Sequence, residues 1–154
     1  MPELKIGAKA PSFSLPDQNT EIVSLKSLSG KKVVLYFYPK DMTSGCTQEA
    51  CDFKDAFPKF GKLDAIVIGI SKDSVKSHQK FIEKYELPFT LLSDENVEVC
   101  IKYGVWKEKS MYGRKYMGIE RTTFIIDENG NIRNIFPKVK INGHVEEVMQ
   151  ALGQ

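Results

Sequence analysis

The sequence predicts an α/β fold, a mixed sheet flanked by helices, and three observations carry that prediction. Two apolar runs without alternation, Val33 to Tyr38 and Ala65 to Ile70, have the character of strands buried on both faces. Each is followed by residues that recur at spacings of three and four, as on an amphipathic helix. The C-terminal third carries two more strand-like runs around Asn129-Gly130, a strong hairpin signal, and then a final amphipathic segment.

Taken in order, Phe13 to Leu15 and Ile22 to Leu25 flank the polar turn Pro16 to Thr20 and predict an N-terminal β-hairpin. Val33 to Tyr38 is expected at the centre of the sheet. From Cys46, the residues Ala50, Phe53, Phe57 and Phe60 form one helical stripe, which Pro58 should kink or stop, with Gly61 serving the chain reversal. Ala65 to Ile70 leads into a helix with Val75, His78, Ile82 and Tyr85 on its inward face. Phe89 to Leu92 predicts a strand, 96–103 a short helix, and the stretch through Gly118 an irregular segment. Thr122 to Ile126 and Ile132 to Phe136 pair as a hairpin, and Gly143 to Leu152 forms the last helix. Strand–helix–strand–helix implies right-handed crossovers. A β-α-β half followed by a β-β-α half is the thioredoxin-like arrangement, here with an added N-terminal hairpin.

A chain of 154 residues and +2 net charge is expected to be one domain, 1–154. Its balanced charge predicts no nucleic-acid partner. The longest aliphatic and aromatic runs have six residues, against the roughly 20 that a bilayer requires, so no membrane association is expected. Three cysteines are too few, and odd in number, for a secreted disulfide framework, which points to a reducing, cytoplasmic compartment; the chain is expected to be a monomer or weakly associating.

The segment Pro39-Lys40-Asp41-Met42-Thr43-Ser44-Gly45-Cys46 joins the central strand to the first long helix. Cys46 falls in the first helical turn, after a Pro/Thr/Ser/Gly loop rather than on the apolar stripe. Unpaired backbone N–H groups and the helix dipole favour a thiolate there. Ionisation alone is a modest catalyst, since lowering any thiol's pKa from about 8.5 to about 6 raises its thiolate fraction at pH 7 only roughly thirtyfold. Donors must also stabilise the transition state. The candidates are the Thr43 hydroxyl, the N–H groups around Gly45 and Cys46, and the guanidinium of Arg121 at the mouth of a core strand.

Pro39, Thr43 and Cys46 reproduce the P-x-x-x-T-x-x-C motif of the peroxiredoxins, and Arg121 matches that family's active-site arginine. Segments 41–53 and 103–127 resemble the Q type, or bacterioferritin comigratory protein subfamily, in particular. The resemblance implies a thiol peroxidase acting on hydrogen peroxide and organic hydroperoxides. In it, Cys46 is the peroxidatic cysteine that becomes a sulfenic acid, Thr43 bonds the thiolate and peroxide, and Arg121 stabilises developing charge. Pro39 shields the sulfenic acid, and Glu49 supports the arginine. Cys51 stands where the subfamily often carries its resolving cysteine, and thioredoxin or a similar dithiol protein is the implied reductant. On an intact helix, residues five apart have Cα atoms roughly 8–9 Å apart, beyond the roughly 7 Å a disulfide tolerates. A Cys46–Cys51 bond therefore requires the first turns to unwind.

Cys100 is expected to be a core thiol, with resolution as its secondary possibility. His78 and His144 are assigned no role. No metal or cofactor is expected, because no C-x-x-C or H-x-x-x-H pair is present and no glycine-rich phosphate loop occurs. The basic and aromatic residues from Trp106 to Tyr116 are expected to form a surface loop near the active site. Two rival readings are a thioredoxin-like disulfide reductase, which should carry C-x-x-C where this chain has Thr43-Ser44-Gly45-Cys46, and a non-catalytic chaperone or interaction module.

Overall fold

The computed structural model describes residues 4–153; residues 1–3 and 154 of the expected 1–154 unit lie outside them. A five-stranded sheet is built from β3 (Lys32–Phe37), β4 (Ala65–Ser71), β5 (Thr90–Ser93), β8 (Thr122–Ile126) and β9 (Ile132–Phe136). Its spatial order is β5-β4-β3-β8-β9, with β3 parallel to β4, β4 parallel to β5, and β8 antiparallel to both β3 and β9. The run predicted to be central is central. β1 (Ser14–Pro16) and β2 (Ile22–Ser24) form the expected N-terminal hairpin.

Alternate residues of β3 face two separate cores. Val33, Leu35 and Phe37 pack with Phe13, Phe124 and the short helix α3 (Glu98–Lys102). Val34 and Tyr36, with Tyr38 just beyond the strand, pack under α1 (Ser44–Lys62), α2 (Val75–Tyr85) and α4 (His144–Leu152). This is the predicted thioredoxin-like arrangement of a mixed sheet between helices.

Two expectations about local structure are corrected. Helix α1 runs on past Pro58 to Lys62. Pro58 sits on the exposed face, where water can satisfy the carbonyl its missing N–H leaves unbonded. The reversal falls at Asp64, with φ +57°, and Gly61 stays helical. The segment expected to be irregular is an antiparallel hairpin, β6 (Trp106–Met111) and β7 (Arg114–Ile119). Its two-residue turn, Tyr112-Gly113, has positive φ at both positions, +53° and +78°, as a type I′ turn requires.

The rotation of α1 is set by its aromatic stripe. Phe53 is fully buried and stacks on Tyr36 with ring centroids 4.7 Å apart, and Phe60 is buried on the same side. A side chain of that size contributes roughly 1.5–3 kcal/mol when buried. Cys46 stands two turns before Phe53 and is turned inward with it.

Candidate active site

The backbone enters α1 through Thr43, whose extended conformation (φ −76°, ψ 154°) marks the N-cap. The first intrahelical bond runs from the Thr47 N–H to the Thr43 carbonyl, 2.9 Å. Cys46 is the third helical residue, among N–H groups that have no partner within the helix. It is only 2% exposed and begins the buried face of Cys46, Glu49, Ala50, Phe53 and Phe60. The expectation that Cys46 stands off the apolar stripe is thus corrected. The spacings of three, four and seven residues put it in register with Phe53, and Tyr36 and Tyr38 lie in the core beneath it.

Arg121, between β7 and β8, reaches this helix from the side. Its Nη2 donates to Cys46 Sγ at 3.4 Å and its Nη1 to Glu49 Oε1 at 2.6 Å. One guanidinium therefore bridges the thiol and a fully buried carboxylate. Gly45 makes room for it: a Cβ there would lie 3.4 Å from Nη2 and 3.2 Å from Ile141 Cδ1. Burial pushes the Glu49 carboxyl up to about 7, against the pull of Arg121. Burial works against the charge on Arg121, but Glu49 and Cys46 outweigh it and hold the guanidinium firmly protonated.

Thr43 is exposed, and its hydroxyl donates to the Lys40 carbonyl at 2.9 Å rather than to Cys46. The turn through Met42, at φ +66°, brings that carbonyl within reach. Pro39 lies half-buried in the same loop. Cys51 is half-buried on α1, where burial raises its pKa. Cys100 is fully buried in the core on the opposite face of the sheet, where burial and the Asp94 carboxylate push its pKa far up. All three thiols are free.

Lys109 belongs to the basic and aromatic stretch expected near the active site, and two further features escape the sequence reading. Lys109 projects from β6 with its stem over Gly118, whose added Cβ would meet Lys109 Cδ at 3.3 Å. Its pKa is lowered by burial and by the charge of Arg121, while Glu120 and Cys46 pull the other way. The two further features are Asp41 and His78, both buried and mutually bonded, which sequence separation concealed. His144 is also buried, with Nε2 2.8 Å from Thr123 Oγ1 and Nδ1 3.2 Å from Glu147 Oε1. Among the described residues no helix is long and apolar enough to cross a membrane, and no cluster of His, Cys, Asp and Glu could hold a metal ion.

Residues 6–135 match the model of the AhpC/TSA family. The chain is 50% identical over 149 residues to peroxiredoxin Bcp of Bacillus subtilis, spanning 97% of this chain and 95% of that one. It is 46% identical over 152 residues to peroxiredoxin Bcp of Escherichia coli, spanning 99% and 97%. Among solved structures, a cysteine-to-serine mutant of PrxQ from Xylella fastidiosa superposes with a TM-score of 0.93 at 36% identity, covering 99% of this chain and 98% of that one. The bacterioferritin comigratory protein of Xanthomonas campestris, studied for alkyl peroxide reduction, superposes with a TM-score of 0.89 at 39% identity, covering 97% and 96%. A peroxide as substrate and a thiol as reductant come with this kinship. The chain belongs to the AhpC/TSA family and, within it, to the Bcp or Q-type peroxiredoxins, which are thiol-dependent peroxidases.

Proposed function

We propose that Cys46 is the peroxidatic nucleophile of this peroxidase and Cys51 its resolving partner. The observation that carries the reading is Arg121 Nη2 at 3.4 Å from Cys46 Sγ, at a helix N-terminus. The Cys46 thiolate attacks one peroxide oxygen, the O–O bond breaks, and the departing oxygen leaves as water or an alcohol after taking a proton. Sulfur is oxidised to the sulfenic acid. Arg121 and the N–H groups of the first turn stabilise charge as it moves onto the leaving oxygen. Glu49 holds Arg121 in place, Pro39 shields the sulfenic acid, and Thr43 meets the peroxide once its hydroxyl turns from the Lys40 carbonyl.

In the second step the Cys51 sulfur attacks the sulfenic sulfur, water leaves, and a disulfide forms. Both cysteines lie on one continuous helix, so the first turns of α1 must unwind. Unwinding withdraws Cys46 and Ala50 from the core and leaves Phe53 and Phe60 as anchors. It also removes the burial that raises the Cys51 pKa. Cys100 is the poorer resolver, because the sheet separates it from Cys46. A dithiol protein of the thioredoxin kind supplies the two electrons that restore both thiols. The alkyl peroxide reduction studied in the Xanthomonas relative supports organic hydroperoxides as substrates beside hydrogen peroxide. The odd cysteine number and the balanced charge support a monomer of one domain, 1–154, in the cytoplasm.

The test is peroxide consumption with thioredoxin as reductant. Cys46→Ser should lose turnover with the fold intact, Cys51→Ser should react once and stall, and Cys100→Ser should cycle normally. Full cycling by Cys51→Ser removes Cys51 as resolver.

A further inference from the structure

Asp41 lies in the loop between β3 and α1, five residues before Cys46, and is 4% exposed. A carboxylate at that depth must be matched bond for bond. Tyr38 Oη donates to its Oδ1 at 2.6 Å, Ser77 Oγ donates to its Oδ2 at 2.8 Å, and His78 Nδ1 stands 2.7 Å from the same Oδ2. The Asp41 backbone N–H donates to Asp73 Oδ2 at 2.9 Å, an oxygen that also accepts from Ser71 Oγ at 2.6 Å. One loop residue is thereby tied to α2 and to the end of β4, neither of which belongs to the helix that carries Cys46.

His78 is fully buried, and its Nε2 stands 3.0 Å from the Leu92 carbonyl. A carbonyl only accepts, so Nε2 must bear a proton. With Nδ1 facing a carboxylate at 2.7 Å, a proton must lie between those two atoms as well. The result is a compact, charge-assisted bond shielded from water. Met42 follows directly, 40% exposed and at φ +66°, a conformation that only glycine adopts freely. Thr43, the N-cap, comes next. Within three residues the chain passes from a pinned side chain, through a strained backbone, to the start of the helix that must unwind.

We propose that the Asp41–His78 pair is the fixed side of a hinge at Met42. It positions the loop so that Cys46 meets Arg121 for attack on the peroxide, and it confines the later unwinding to residues beyond Met42. The second role rests on the Cys46–Cys51 reading above. Neither Asp41 nor His78 touches the sulfur; both are positioning residues that act through the loop. Losing the pair lets the loop drift, which slows peroxide attack and leaves disulfide formation as fast or faster. A purely structural role would not separate the two steps in this way.

The test uses the full-length reduced protein in single turnover, with peroxide loss reporting the first step and quenched alkylation with mass spectrometry reporting the second. His78→Asn keeps an N–H near the position of Nδ1, and His78→Gln keeps one near Nε2 while losing the bond to Asp41. The expected result is that His78→Gln slows peroxide attack on the order of tenfold without slowing disulfide formation. His78→Asn should recover most of the attack rate. Asp41→Asn keeps an acceptor for Tyr38 but loses the charge-assisted bond, so it carries the same expectation as His78→Gln if that variant fails to fold. Wild-type attack rates in both His78→Gln and Asp41→Asn, or equal losses in both steps, overturn the proposal. A wild-type chain that attacks peroxide but forms no Cys46–Cys51 disulfide instead overturns the reading on which the unwinding role rests, a result distinguishable from the variants' behaviour.

Discussion

Cys46 and Cys100 are buried almost equally, 2% and 0% exposed, on opposite faces of one sheet, yet their surroundings have opposite sign. Cys46 sits at a helix N-terminus with a guanidinium 3.4 Å from its sulfur. Cys100 sits beside the Asp94 carboxylate, which also accepts its backbone N–H at 2.8 Å. Burial alone raises the cost of a thiolate at both sites. On the proposal that Cys46 is the nucleophile, what separates it from a core thiol is the charge aimed at the sulfur, so the contrast can be broken by changing that charge.

The largest effect belongs to Arg121. Arg121→Gln removes the donor to the sulfur and leaves Glu49 buried without a counter-charge, so the second-order rate with peroxide should fall about a hundredfold or more. Stopped-flow peroxide consumption measures it. Arg121→Lys should recover only part of the rate, because one ammonium cannot reproduce the fork that bonds Sγ and Glu49 together. Next comes Gly45→Ala, whose added methyl must displace Ile141 Cδ1 and crowd Arg121 Nη2. A displacement of a few tenths of an ångström should cost a few-fold to about tenfold in the same assay, with melting temperature nearly unchanged.

Glu49 gives a smaller effect, read as a pH slope. Its carboxyl is held near 7 when folded, against an ordinary value of 4.5, so between those values the folded chain keeps a proton that the unfolded chain has lost. The stability this contributes is present below about 4.5 and is lost as the pH rises through 7. Urea titrations of the wild type at pH 5 and pH 8 should differ through this group by on the order of 2 kcal/mol, and Glu49→Gln should flatten the difference. The smallest effect is at the opposite site. Asp94→Asn removes the negative charge beside Cys100, so alkylation of that thiol should quicken slightly while peroxide turnover stays at the wild-type rate.

Much of this architecture is legible in the sequence because its elements bury continuous apolar faces. Val33 to Tyr38 announces a central strand, and the Phe53/Phe60 stripe announces α1. The position of Cys46 in the first turn after a strand-to-helix junction is legible in the same way, and the helix does begin there. Other features depend on partners distant in the chain. The β6–β7 hairpin has polar residues on both faces and turns on Tyr112-Gly113, outside the usual Asn/Asp-Gly set, so neither alternation nor turn chemistry marks it. His78 could be recognised as inward-facing, but its bond to Asp41 spans 37 positions and becomes visible only when α2 packs over the loop. Pro58 misleads because a proline's effect on a helix depends on whether its face meets water, and tertiary packing decides that.

The most direct measurement is to treat the reduced protein with one equivalent of peroxide in the presence of a sulfenic-acid trap and locate the adduct by mass spectrometry. The account predicts an adduct on Cys46 and none on Cys100. An adduct on Cys100, or equal labelling of the two buried thiols, would contradict it.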